Sequence, residues 1–163
     1  MARLHESLET ALPPERTFEF IADFANSARW DPGVAWAEGL TQGPTRVGST
    51  YRLGVHMGSR ITPMEYRVTA LEPGRRVVLE GSGSGVKATD EIRFAPIANG
   101  TRVDYAADIR LTGWLRLIAP FTGRAFAGIA RNARNGMATT LDQLAAAPHQ
   151  NAATEQVAEG GAR

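Results

Sequence analysis

Gly113–Ala146 reads GWLRLIAPFTGRAFAGIARNARNGMATTLDQLAA. It decides the fold because no other stretch is both long enough and apolar enough to cover a sheet. After Pro120, the apolar residues Phe126, Ile129, Ala130, Ala133, Met137, Leu141 and Leu144 recur every three or four positions, which places them on one helical face. Arg124, Arg131 and Arg134 fall off that stripe. Proline lacks the backbone donor and disfavours a helical residue before it, so Trp114 to Ala119 is expected as a separate short turn, with the main helix starting near Thr122 or Gly123. The inner face carries Ala125, Gly128, Ala130, Ala133 and Gly136. Small side chains there leave space either for a ligand or for close packing of a neighbouring backbone.

Upstream, the period changes from helical to two. Leu4, Leu8 and Leu12 alternate with His5, Ser7 and Glu9, the pattern of a strand with one buried face. Pro13 and Pro14 end it and can open a helix in which Phe18, Ile21 and Ala22 share a face. A second short helix is expected around Phe24 to Ala28, stopped by Trp30-Asp31-Pro32-Gly33. From Val34 to Leu111 six strands follow, joined by glycine- and proline-rich turns. Tyr51, Leu53, Val55 and Met57 alternate with Arg52 and His56. Thr62, Met64, Tyr66, Val68 and Ala70 alternate with Glu65, Arg67 and Thr69, and Pro63 suggests an edge or bulge. Val77 and Leu79 face inward by parity, as do Asp90, Ile92 and Phe94. Val103, Tyr105, Ala107, Ile109 and Leu111 form the clearest one-sided strand. The expected architecture is α+β: a seven-stranded antiparallel sheet in the order β-α-α-β₆-α, covered by the last helix.

Bulk properties narrow the function classes. One domain with one core fits 163 residues, and residues 1–147 are expected to form it, with a disordered tail from Pro148. A formal charge of +1 gives no argument for a nucleic-acid partner. No run of bilayer length and no apolar leader are evident, so membrane contact is not expected and the cytoplasm is the expected location. Zero cysteines exclude thiolate chemistry and disulfides. The three histidines, His5, His56 and His149, are scattered without ligand spacing, so neither a metal nor any other cofactor is expected. The Gly81–Gly85 run is flanked by strands on both sides, which reads as a hairpin rather than a phosphate loop.

The sequence also resembles the START-like superfamily, the polyketide cyclase/dehydrase and lipid transport group with a helix-grip fold. The resemblance rests on Phe18-Glu19-Phe20-Ile21-Ala22-Asp23 leading to Trp30-Asp31-Pro32, on Val47-Gly48-Ser49, and on Tyr66-Arg67-Val68 before Glu72-Pro73. Ile92-Arg93-Phe94 and Gly100-Thr101-Arg102-Val103 complete it. The resemblance implies a curved sheet around the C-terminal helix and an apolar cavity for lipids, polyketides or similar molecules. It does not imply a reaction, since such folds serve binders and enzymes alike.

Parity then selects the groups that could reach such a cavity. Tyr51, Leu53 and Val55, Met64, Tyr66 and Val68, Leu79, Asp90 and Ile92, and Tyr105, Ala107 and Ile109 would line it from the sheet. Ile129, Ala133 and Met137 would line it from the helix. Asp90, Tyr66 and Tyr105 are the candidate acids and bases, because a desolvated carboxyl or phenol can exchange protons with a ligand; each is equally readable as a locally bonded core residue. Trp30 could stack on a ligand or plug the gap between helix and sheet. The leading expectation is a binder of a small hydrophobic molecule, monomeric or homodimeric. An aromatase/cyclase-type enzyme is the alternative, and a surface-mediated interaction protein is a third reading.

Overall fold

The structure is a computed structural model that describes residues 2–113 and 123–147. Strand β1 (Ala2–Thr10) is followed by helix α1 (Pro14–Ala22), a 3-10 turn (Phe24–Asn26) and helix α2 (Ser27–Trp30). Strands β2 (Val34–Gly39), β3 (Thr50–Met57), β4 (Arg60–Glu72), β5 (Arg76–Gly83), β6 (Val86–Ile97) and β7 (Gly100–Leu111) come next, then helix α3 (Gly123–Ala146). The strands form one seven-stranded sheet in the order β1-β7-β6-β5-β4-β3-β2. Every pairing is antiparallel, and the sheet curls into the half-barrel of the helix-grip fold. The short turn expected over Trp114–Ala119 and the tail from Pro148 lie outside the described residues.

Alternation in the sequence becomes alternation in burial. Tyr51 and Leu53 on β3, Met64, Tyr66 and Val68 on β4, Val77 and Leu79 on β5, and Val86, Ala88, Asp90, Ile92 and Phe94 on β6 are all buried on the inner face. The residues between them are mostly exposed or half-buried. On α3, Ala130, Ala133, Met137 and Leu141 are buried at the three- and four-residue spacing of the stripe. The Gly81–Gly85 run is a hairpin: strand pairing continues to Gly83↔Val86, and Ser84 and Gly85 turn with φ of 46° and 81°, the left-handed pair that a tight hairpin needs.

Two details of β4 differ from the reading by parity. Its bulge falls between Val68 and Ala70 rather than at Pro63, so the phase slips and Leu71 packs against the core. Pro63 pairs with Gly54 of β3, while pairing to β5 runs from Glu65; its missing donor lies beyond the end of that ladder.

Hydroxyls fasten the end of the sheet where β1 turns into α1. Thr17 is fully buried and donates to the carbonyls of Leu12 and Pro13 at 3.1 and 2.9 Å. Thr101 of β7 donates to the same Leu12 carbonyl at 2.8 Å. The rings of Phe18 and Phe94 meet edge-on with centroids 5.3 Å apart, seating α1 on β6. Helix α3 is held to β1 by Arg134, which donates to the Ser7 carbonyl at 2.8 Å. It is held to α2 by Thr140, which donates to the Arg29 carbonyl at 2.9 Å. Among the described residues, no helix is long and apolar enough to cross a membrane.

Candidate functional site: a buried acid among aromatic rings

Asp90 lies in the middle of β6, opposite Ala107, and Tyr105 lies opposite Ile92. The two are therefore diagonal neighbours on the inner face, within reach of a long side chain. Tyr105 uses that reach: its hydroxyl donates to Asp90 Oδ1 at 2.6 Å, the length of a bond to a charged or strongly polarised acceptor. Asp90 is buried, and its other oxygen, Oδ2, has no hydrogen-bond partner among the described residues. Burial pushes its carboxyl up from 3.8 to about 7; the Tyr105 hydrogen bond opposes the rise and the nearby Asp31 carboxylate adds to it. Burial also raises the Tyr105 and Tyr66 phenols well above their ordinary range, with both aspartates adding to the effect. Asp31, in the loop after α2, is raised by burial, against which the Gly33 backbone N–H donates to its Oδ1 at 2.7 Å.

Rings surround this acid. Phe24 contacts Trp30, Tyr66 and Tyr51 with centroid separations of 5.9, 5.4 and 6.3 Å. Trp30 meets Tyr105 edge-on at 6.4 Å. The last residue of α2, Trp30 is 2 % exposed, its ring packed between those of Phe24 and Tyr105. Its indole Nε1–H has no partner among the described residues, nor has the buried Ser27 hydroxyl.

Tyr66 reaches its position because its cross-strand neighbour is Gly81. A Cβ on Gly81 would lie 2.5 Å from two atoms of the Tyr66 ring, closer than real atoms approach. Gly81→Ala is therefore expected to push the ring off the sheet and cost about 1–3 kcal/mol, the usual range for overpacking. Urea denaturation measures this, and an unchanged midpoint would show that the ring has room to move.

The sequence-expected lining is distributed as follows. Leu53, Met64, Val68, Leu79, Ile92, Ala107, Ala133 and Met137 are buried. Val55 and Ile109 are half-buried and pack against the core. The Tyr51 hydroxyl is bonded locally, 2.8 Å from the Thr45 hydroxyl. Ile129 lies on α3, but its side chain is outside the described ones. Phe24 and Asp31 were not expected in the site. The only sequence signal for Asp31 was its place in a Trp-Asp-Pro-Gly helix stop.

Among the hollows that described residues line, two are open to the surface. One, of about 530 Å³, is a groove between α2 and α3 bordered by Arg29, Trp30, Asn135, Gly136 and Gln143. The other, of about 740 Å³, is a depression whose polar wall is the outer face of the sheet, including Arg67, Glu80, Lys87 and Arg110. The side chains of 123–127, at the first turns of α3, lie outside the described ones. Among the described residues no three acidic or histidine side chains cluster as a metal site would require.

The arrangement offers a carboxyl able to take or give a proton near neutral pH, a phenol bonded to it, and an indole donor, all away from bulk water. Comparison with solved structures agrees on the fold. A START superfamily protein from Mycobacterium smegmatis superposes with a TM-score of 0.68 at 15% identity, covering 89% of this chain and 97% of its own. The Zhui aromatase/cyclase from Streptomyces sp. R1128 gives 0.69 at 16%, covering 88% and 92%. A protein from Thermus thermophilus gives 0.71 at 15%, covering 89% and 99%. No protein of curated function matches in sequence. Residues 1–147 match the description polyketide cyclase / dehydrase and lipid transport, and the chain belongs to that family.

Proposed function

We propose that the protein binds a small, mainly apolar molecule against the inner face of its sheet, with residues 1–147 as the binding unit. One observation carries this reading. Val55 and Met57 on β3 and Ile109 and Leu111 on β7 face inward with the core, yet stay half-exposed. Across the β6–β7 ladder Ile109 and Leu111 stand opposite Ala88 and Val86, so apolar side chains continue along the same face. Exposed apolar surface on a concave face favours an apolar occupant. The fluorescent probe N-phenyl-1-naphthylamine is expected to bind saturably, and Ile109→Glu to weaken it at least tenfold by placing a charge among these apolar side chains. Binding that does not saturate, or is indifferent to Ile109→Glu, removes this reading.

A second reading, an aromatase/cyclase-type enzyme, is favoured by the Asp90 carboxyl held near pH 7 and bonded to Tyr105. Such a pair can move protons on an enolisable ketone. Under it, Asp90→Asn or Tyr105→Phe leaves binding of the naphthylamine intact and abolishes turnover of a poly-ketone. A wild-type protein that turns over no such substrate leaves the binder.

A further inference from the structure

Buried polar atoms are almost always hydrogen-bonded, and each exception calls for an explanation. Two exceptions sit in one aromatic cluster here: the Trp30 indole N–H and the second oxygen of Asp90. They are joined through Tyr105, whose ring meets Trp30 and whose hydroxyl holds Asp90. The Tyr105 bond leaves Asp90 Oδ2 as the remaining site of its carboxyl. An indole nitrogen can only donate.

Resting on the reading of the interior as a ligand site, we propose that Trp30 and Asp90 together determine its specificity: the indole N–H and the neutral carboxylic acid are two donors for a carbonyl-bearing, uncharged ligand, which is taken up together with a proton. The charge environment supports the neutral acid. Among the described residues, the titratable groups that face Asp90 are Asp31 from the loop after α2, Tyr66 from β4 and Tyr105 from β7. The described buried residues of α3 are Ala130, Ala133, Met137 and Leu141, none of which titrates. The second carboxylate, Asp31, disfavours an anion at Asp90. A ligand that only accepts hydrogen bonds gains from the acid and loses from the carboxylate, so its affinity must fall as Asp90 ionises.

A pair of neutral probes of the same shape tests this: 2-acetonaphthone, and 2-isopropenylnaphthalene, in which CH₂ replaces the carbonyl oxygen. At pH 5.5 the ketone is expected to bind wild-type protein at least tenfold tighter than the hydrocarbon. Between pH 7.5 and 8.5 its Kd is expected to rise toward tenfold per pH unit while that of the hydrocarbon stays level. Calorimetry at pH 8 in two buffers of different ionisation enthalpy should report uptake of one proton with the ketone and none with the hydrocarbon. Trp30→Phe is expected to remove most of the ketone's advantage and spare the hydrocarbon. Equal affinity of both probes for wild-type protein, or a ketone Kd indifferent to pH, overturns the proposal while leaving the binding reading in place. Failure of both probes to bind removes the binding reading and the proposal together.

Discussion

Replacing Asp90 with asparagine is expected to make the protein more stable at pH 8, by on the order of 2–4 kcal/mol, and to leave its stability at pH 3.5 nearly unchanged. Folding raises this carboxyl from 3.8 to about 7, so between those values the folded protein holds a proton that the unfolded chain releases. Its contribution is therefore fully present below pH 3.8 and is lost as the pH rises through 7, where the fold must carry a buried anion. A displacement of that size corresponds to ~4 kcal/mol in the high-pH limit. The Tyr105 hydroxyl still has an acceptor in the asparagine carbonyl, so most of the gain should survive. Asp31, also raised by burial, acts with the same sign and sharpens the decline. Glu91, held low by Arg76 and Arg93, acts with the opposite sign, but only in the acidic limb. Urea midpoints of both proteins across pH 3.5–9 give the answer, and equal midpoints at pH 8 would refute the buried anion. A variant more stable but unable to discriminate the ketone, or to turn over a poly-ketone, identifies a group retained for chemistry at the expense of the fold.

Parity along β3 to β7 and the helical stripe of α3 were legible because each follows from one buried face repeated over many residues. What parity cannot supply is register. It put Asp90 and Tyr105 on the same face, but their bond depends on Asp90 standing opposite Ala107 and Tyr105 opposite Ile92, a consequence of the two-residue turn Ala98-Asn99 closed by the Ile97–Gly100 pair. The slip after Val68 that returns Leu71 to the core was hidden for a related reason: no glycine or proline sits at the bulge to announce it. Asp31 was read only as part of a helix stop, yet its charge reaches Asp90, Tyr66 and Tyr105. Such long-range coupling leaves no trace in local pattern. Thr17 and Thr101 likewise look like ordinary surface residues until α1 folds back and gives both hydroxyls the Leu12 carbonyl.

The small residues of α3 left two readings open, space for a ligand or close packing, and Gly136 decides for packing at its own position. Its missing side chain is where the Trp30 carbonyl oxygen sits, and a Cβ there would also lie 3.0 Å from Pro32 Cδ and 3.2 Å from the Trp30 carbonyl carbon. Backbone cannot swing aside as a flexible side chain can, so α3 and the end of α2 would have to part. Gly136→Ala gains up to about 1 kcal/mol in helix propensity but is expected to lose more than that, for a net cost of ~2 kcal/mol or more. Gly128, on the same helix, supplies the control, because a Cβ there meets no described atom within 4 Å. Gly128→Ala should be neutral or stabilising by up to about 1 kcal/mol. Under the proposed role of Trp30, stability and binding are tied: the backbone pushed by the new methyl carries the indole that contacts Tyr105 and Phe24. Gly136→Ala should therefore shift the tryptophan emission and near-ultraviolet dichroism and weaken the ketone more than the hydrocarbon, effects that Gly128→Ala should not share. If the two alanine variants prove equally stable, α2 and α3 do not pack backbone to backbone, and Trp30 is not held in place by α3.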